Sequence, residues 1–290
     1  MDIWHILGRI FRASNLGTFA FFALNTALLC AIFVPSGVPV WFLVICYAIT
    51  VLISLSPVGE WTLALLAGAR EIRRRDIQIR LIPLLEIVFD RAKAKTPSMV
   101  NSVRLKIIHN PSPNAFAIGR RTICVTDGLL SLSDDEIMAI FAHELGHIAY
   151  HHSTIQLLIG GGNVFISGCL LLIKAICWVF TAVFGFVAGI ASNSFLAGVL
   201  AAMAASLSAG LIWLWTKFCA LFLMWSLRQN EYVADGYAYS LGFGNTLASI
   251  LDRQEYRAPS GLLGALYSAH PDNHSRIAHL QSLGASYSRY

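Results

Sequence analysis

At 290 residues, with 56% hydrophobic and only 13% charged side chains, the chain is too apolar for an ordinary soluble protein, in which about a quarter of residues are charged. Its mean hydropathy of +0.63 places much of it in lipid. The net charge of +5 is modest, and no basic run is interleaved with aromatics in a polar segment; this excludes nucleic acid as a partner and leaves the arginines as flanks of membrane spans.

In chain order, the first apolar stretches run from Leu16 to Val34 and from Val38 to about Val58. Each is close to the roughly 20 residues that a bilayer core requires. Pro35-Ser36-Gly37 links them tightly, so they read as a hairpin. A third stretch runs from Ile155 to Val187 and a fourth from about Phe195 to Leu227. Between Ile155 and Trp225 the only charged residues are Lys174 and Lys217, expected to snorkel or face a water-lined groove. Arg9 and Arg12 precede the first stretch, Arg70, Arg73, Arg74, Arg75 and Arg80 follow the second, and Arg228 follows the fourth. The short links on the other side carry no charge. Positive charge marks the cytoplasmic side of a membrane crossed several times, which puts both termini and the HExxH segment in the cytoplasm. The first stretch leads straight into the second, so it reads as an uncleaved signal anchor. Cys30, Cys46, Cys169, Cys177 and Cys219 fall in the apolar stretches and Cys124 stands alone, with no CxxC pair; they read as small apolar fillers.

The chain thus divides into a transmembrane hairpin at 1–68, a polar segment at 69–154, a second hairpin at 155–227 and a polar segment at 228–290. Neither polar segment is long enough for a comfortable core alone. They are expected to pack together as one cytoplasmic domain. Arg80 to Ala94 reads as a helix with Pro83 in its first turn, and Arg104 to His109 and Thr122 to Thr126 as short strands. Ser133-Asp134-Asp135-Glu136 is a capping box that starts a helix running to about His151.

That helix carries His143-Glu144-Leu145-Gly146-His147. Residues four apart share a helix face, so His143 and His147 can direct their imidazoles at one metal, with Glu144 beside it to take a proton from a bound water. A catalytic zinc needs a third protein ligand. The extended pattern HExxHxxGxxH does not supply it, because Tyr150 and Ser153 occupy its last two positions. His151 and His152 read as part of an interfacial polar face, the alternative being a part in zinc binding for one of them. Glu231 and Asp235, four apart directly after the fourth apolar stretch, offer the alternative. Glu231 would ligate one zinc ion, while Asp235 would accept a proton from a ligand histidine and fix its tautomer. The plainer reading of that pair is a solvated acidic helix face.

Taken in order, several features resemble the HtpX-type membrane zinc metallopeptidases, relatives of the CAAX prenyl proteases, over nearly the whole chain. They are the N-terminal hairpin, Asn114-Ala115-Phe116-Ala117 with Gly119, Val125-Thr126-Asp127-Gly128-Leu129-Leu130, the HExxH motif, Glu231xxxAsp235, and His270-Pro271 with Arg276-Ile277. The resemblance implies a mostly α protein of a bacterial-type inner (plasma) membrane: four transmembrane helices plus a cytoplasmic α+β gluzincin-type zinc peptidase domain. The implied activity is ATP-independent endoproteolysis of misfolded or unassembled membrane proteins, in quality control. In that chemistry His270 is a candidate oxyanion donor, and Arg276 either helps it or anchors the Glu231–Asp235 helix. Asn114, Ala115 and Phe116 would lie along an edge strand to which a substrate peptide adds. The alternatives are a turn at His270-Pro271, a structural ion pair at Arg276 and a turn residue at Asn114. The chain departs from the family pattern at His151-His152, where relatives carry Gly-Asp, and in a longer N-terminus. A narrow processing protease and a non-catalytic membrane scaffold or chaperone stay open as other functions.

Overall fold

The computed structural model of the chain describes residues 12–35, 37–192, 195–253 and 272–288. Helix α1 (Leu16–Phe33) is followed by α2 (Val40–Leu55) and α3 (Pro57–Leu66). The second apolar stretch, expected to run straight to about Val58, instead stops at Leu55 and bends by 70°. Pro57 has no N–H to continue the α2 ladder, and the Ser56 hydroxyl accepts from Val58 N–H at 3.2 Å to cap a new helix. Among the described residues, one helix is long and apolar enough to cross a membrane, Ala13–Phe33 with a mean hydropathy of 2.0; the bent α2–α3 pair would be a second.

The polar segment opens with β1 (Arg70–Glu71) and α4 (Arg75–Lys95). The helix begins ahead of the expected Arg80, which leaves Pro83 inside it rather than in its first turn. Arg80 explains part of the tolerance: its guanidinium donates to Asp134 at 2.9 Å and to the carbonyls of Leu130 and Leu132 at 2.7 and 2.6 Å, so α4 is held from outside its own ladder. Strands β2 (Arg104–Ile108), β3 (Ala115–Ile118) and β4 (Thr122–Thr126) follow. The sheet runs in the order β1-β2-β4-β3, with β2 and β4 parallel and the other pairs antiparallel. β3 is therefore an edge strand. It turns into β4 through Gly119, whose φ of +61° suits a residue without a Cβ.

Helix α5 (Asp134–Ala149) carries the HExxH motif. Two long helices come next, α6 (His152–Ser192, 41 residues) and α7 (Phe195–Ser240, 46 residues). At 1.5 Å per residue α7 is about 69 Å long, more than twice the roughly 30 Å of a bilayer core. The polar stretch after Leu227 is thus a continuation of the same helix, not a separate one. Helices α8 (Gly244–Arg253) and α9 (Asn273–Ser282) complete the described chain.

One apolar core joins the two polar segments. It contains Leu81, Leu85 and Val88 of α4, Ile123 and Val125 of β4, and Phe141 and Leu145 of α5, together with Tyr237 and Ala238 of α7, Leu247 of α8 and Leu280 of α9. Full burial of a side chain such as Phe141 contributes on the order of 2–3 kcal/mol. A second cluster, with Phe21, Phe22, Leu29, Leu170, Cys219 and Leu223, binds α1 to α6 and α7.

Candidate metal centre

The capping box at the start of α5 forms: the Glu136 carboxylate accepts from the Ser133 N–H at 2.8 Å, and Arg253 pairs with the same carboxylate. From Phe141 to Ala149 every residue of α5 is buried, including His143, Glu144 and His147. Burying polar groups is costly unless they find partners, and each of these does. His143 Nε2 lies 3.1 Å from His147 Nε2. Glu231 on α7 places Oε2 3.6 Å from His143 Nε2 and Oε1 3.4 Å from His147 Nε2. One ligand atom from each of the three lies within 4.8 Å of the others. Donors about 2.0–2.1 Å from a tetrahedral zinc stand roughly 3.3 Å apart, so the three atoms have the spacing and the N,N,O chemistry to hold such an ion.

Gly146 is what lets the two helices meet. A Cβ there would stand 3.0 Å from Ala234 Cα and 3.1 Å from Tyr237 Cβ, so α5 and α7 touch backbone to backbone at the level of the site. Glu144 points the other way, to the sheet: its Oε2 accepts from the Ala117 N–H of β3 at 2.7 Å. Burial raises its pKa above the usual carboxylate range, against the opposing pull of His147 and His143.

A further layer fixes the imidazoles. Asp235 Oδ1 lies 2.9 Å from His143 Nδ1. Arg276 grips that carboxylate with two donors, Nε to Oδ2 at 2.8 Å and a terminal nitrogen to Oδ1 at 2.6 Å, and its other terminal nitrogen lies 3.2 Å from Glu231. Burial works against the Asp235 charge, but Arg276 and His143 outweigh it and hold its pKa below the ordinary value. Burial likewise opposes a charge on His147, and the adjacent Glu231 carboxylate overcomes it, so the His147 pKa is raised. Glu231 and Asp235 are buried at 7% and 0% exposure, which excludes the solvated acidic face.

His152 departs from expectation. It is 1% exposed rather than part of a polar surface, and its Nδ1 lies 3.2 Å from His147 Nδ1. Five residues further along an unbroken helix it would stand about 140° around the axis. The chain breaks instead at His151, whose φ of 62° is left-handed, and restarts as α6 with His152 turned inward against Tyr150 and His147. Sequence reasoning missed it because no periodicity signals that break; the Tyr-His-His run in place of a glycine was the one hint. Burial and the neighbouring His147 push its pKa well below the usual histidine value.

The other expected site residues fall as follows. Ala115 and Phe116 belong to edge strand β3, and Asn114 leads into it, its N–H bonded to Thr126 Oγ1 at 2.8 Å. Arg276 lies against Asp235 and Glu231, a position that fits an anchor of that helix and a structural ion pair alike. His270 lies outside the described residues. Cys124 is buried, and burial pushes its thiol up to about 12, in keeping with an inert filler.

Residues 83–283 match the family described as Peptidase family M48. A protease HtpX homolog of Tropheryma whipplei (strain Twist) is 27% identical over 247 residues, covering 76% of this chain and 77% of the relative. One from Nitrosomonas eutropha is 31% identical over 222 residues, covering 69% of this chain and 70% of the relative. The crystal structure of S. mikatae Ste24p shares the fold, with a TM-score of 0.52 at 15% identity; the alignment covers 94% of this chain and 64% of that one. The match takes in α4 from Pro83 onward, strands β2 to β4, the histidine helix and the Glu231 end of α7, and on it the chain belongs to peptidase family M48 and is a metalloprotease.

Proposed function

We propose that the chain is a zinc-dependent endopeptidase, held in the membrane by four helices, that cleaves misfolded or unassembled membrane proteins at the cytoplasmic face. The observation that carries this reading is the buried convergence of His143, His147 and Glu231 beside Glu144 and the edge of β3. His143 Nε2, His147 Nε2 and a Glu231 oxygen would hold the ion. A zinc ion there supplies a Lewis acid and lowers the pKa of water to about 7.

The protein's own part follows from the geometry. Glu144 takes a proton from the attacking water on its carboxylate and delivers it to the leaving amine nitrogen. Asp235 accepts from His143 Nδ1–H, and His152 Nδ1 accepts from His147 Nδ1–H, which leaves both Nε2 lone pairs turned to Glu231. Arg276 holds Asp235 charged and ties Glu231 to the same frame. The segment Asn114, Ala115 and Phe116 leads along edge strand β3 to the Ala117 N–H at Glu144; an extended peptide would pair at Ala115, since the Asn114 N–H and carbonyl already bond Thr126. His270 is assigned as oxyanion donor on sequence grounds.

Membrane placement has independent support. α6 begins three residues after α5 ends, and α7 emerges from its apolar stretch directly into Glu231. The Asn230 side chain donates to Asn15 at 3.0 Å, and Ser226 bonds the Ser14 carbonyl. The start of α1 is therefore level with the residue next to Glu231. A site at that height meets chains as they leave the bilayer, which favours membrane-protein substrates. The arginines around the first two apolar stretches support the cytoplasmic side.

The test is cleavage of several unrelated unfolded proteins by the full chain, purified in detergent with zinc, beside Glu144→Gln. The expected result is cleavage of most of them, with the variant slower by about a hundredfold or more. Equal cleavage by both proteins would remove Glu144 from the reaction. Cutting of one substrate alone would favour a narrow processing protease.

A further inference from the structure

Helix α3 has two sides. One seats Ala64 on Ile118 and Cys124 of the sheet. The other exposes Val58, Trp61 and Leu65, at 60%, 59% and 58%, in helical register. A short helix that leaves the end of an apolar helix at 70° with such a face bared suits the plane of a membrane interface. Between α3 and the sheet lies a cavity of about 450 Å³. Leu55, Pro57 and Trp61 form one wall, and Arg104, Lys106, Arg120 and Arg121 the other.

The charges in that cavity are not balanced. Glu60 is its one carboxylate, and it is already taken by the Thr122 hydroxyl and the Arg120 N–H. Lys106 pairs with Glu71 at 3.5 Å. Among the described residues no carboxylate pairs with the guanidinium of Arg104, Arg120 or Arg121. An apolar wall that continues from α2, facing three guanidinium groups that no carboxylate pairs with among the described residues, is complementary to an amphiphile with an anionic head. A guanidinium presents a planar fork suited to phosphate oxygens, and with Glu60 as its one carboxylate against Arg104, Lys106, Arg120 and Arg121 the cavity keeps a net positive charge that disfavours a cationic headgroup.

We propose that this cavity binds the headgroup of an anionic phospholipid, its phosphate against Arg104, Arg120 and Arg121 and its acyl chains along α2 beyond Leu55. The proposal rests on the membrane placement given above. It has a consequence for the site: Arg120 and Arg121 form the turn between β3 and β4, and β3 carries the Ala117 N–H that holds Glu144. A bound lipid thus ties the peptide-binding edge to the bilayer surface.

The experiment is native mass spectrometry of the full chain in mild detergent, with phosphatidylglycerol and phosphatidylcholine of matched acyl chains. One phosphatidylglycerol is expected to stay bound under activation that strips phosphatidylcholine. Arg120→Gln with Arg121→Gln should weaken that retention by about tenfold, since each basic residue near an anionic lipid contributes measurably. Arg120→Lys with Arg121→Lys should keep most of it, and Arg73→Gln with Arg75→Gln, outside the cavity, should leave it unchanged. Equal retention of the two lipids by the native chain overturns the proposal, whatever the variants do. Equal loss in both glutamine pairs overturns it in favour of a diffuse field. Displacement of phosphatidylglycerol by an equal concentration of glycerol 3-phosphate overturns it in favour of a soluble phosphate. Carbonate extraction of membranes checks the placement separately: release of the chain would sink the membrane reading without touching a lipid preference measured in detergent.

Discussion

His143 and His147 are alike in the motif and unlike in their support. His143 faces Asp235, whose negative charge Arg276 maintains, while His147 faces the neutral and almost fully buried His152. A carboxylate partner makes an imidazole a stronger ligand than a neutral partner does, so His147 is the weaker arm of the site. His152→Leu keeps a buried side chain of similar bulk but removes the acceptor. It is expected to weaken zinc binding by about 10–100-fold, the usual effect of losing such a partner. His152→Asn, whose amide oxygen can accept, is expected to recover part of the loss, and His152→Asp to bind zinc more tightly than the native chain. Competition with a chromophoric chelator reads all three without recourse to activity. Equal affinity in the leucine variant and the native chain would reduce His152 to a space-filler.

The elements carry the site through two contacts, one of backbone and one of capping. Where α5 crosses α7 at Gly146 there is no room for a branched side chain. Gly146→Val is expected to push Ala234 and its helix away, move Glu231 out of reach and abolish zinc binding while the helical circular dichroism persists. Helix α9, which brings Arg276 to Asp235, is capped by Asp272, whose carboxylate accepts from the Ser275 N–H at 2.9 Å. Asp272→Ala should cost about 1 kcal/mol. The Ser275 hydrogen bonds hold the Asp272 pKa below its ordinary value. A group depressed in the folded state stabilises it above the unfolded pKa of about 3.9 and loses that effect as pH falls through the folded value. The native and Asp272→Ala thermal midpoints should therefore differ at pH 6 and converge as the pH falls through the lowered folded-state value. These contacts also mark what the sequence could reveal. The capping box, the HExxH spacing and the i,i+4 pair of Glu231 and Asp235 are local, and each forms where the residues indicate. The left-handed His151, the interior Pro83 and the unbroken run of α7 past Leu227 depend on packing with distant segments, and no local pattern announces them.

At the scale of the molecule, the proposed ligands come from two polar segments that the α6–α7 hairpin separates in the chain and the shared core reunites. That partnership was legible from length alone, because neither segment could bury enough by itself. Its register was not, since it depends on where α7 exits its apolar stretch and on the Asn230–Asn15 contact that levels α7 with α1. A metal held by His143 and His147 on α5 and by Glu231 on α7 is in effect a cross-link between the segments. An ion that binds only the folded state stabilises it by an amount set by its concentration relative to the dissociation constant, about 2.7 kcal/mol at a hundredfold excess. For a polar domain of this size that corresponds to a rise in thermal midpoint of roughly 5–10 °C. Chelation should therefore lower the midpoint of the full chain in detergent by about that much, and added zinc should restore it. Glu231→Ala should shrink the response, because it removes the one ligand that α7 contributes, whereas Glu144→Gln should preserve it. A midpoint indifferent to zinc in the native chain would mean that these three side chains do not hold the ion, and the proposed chemistry would fall with them.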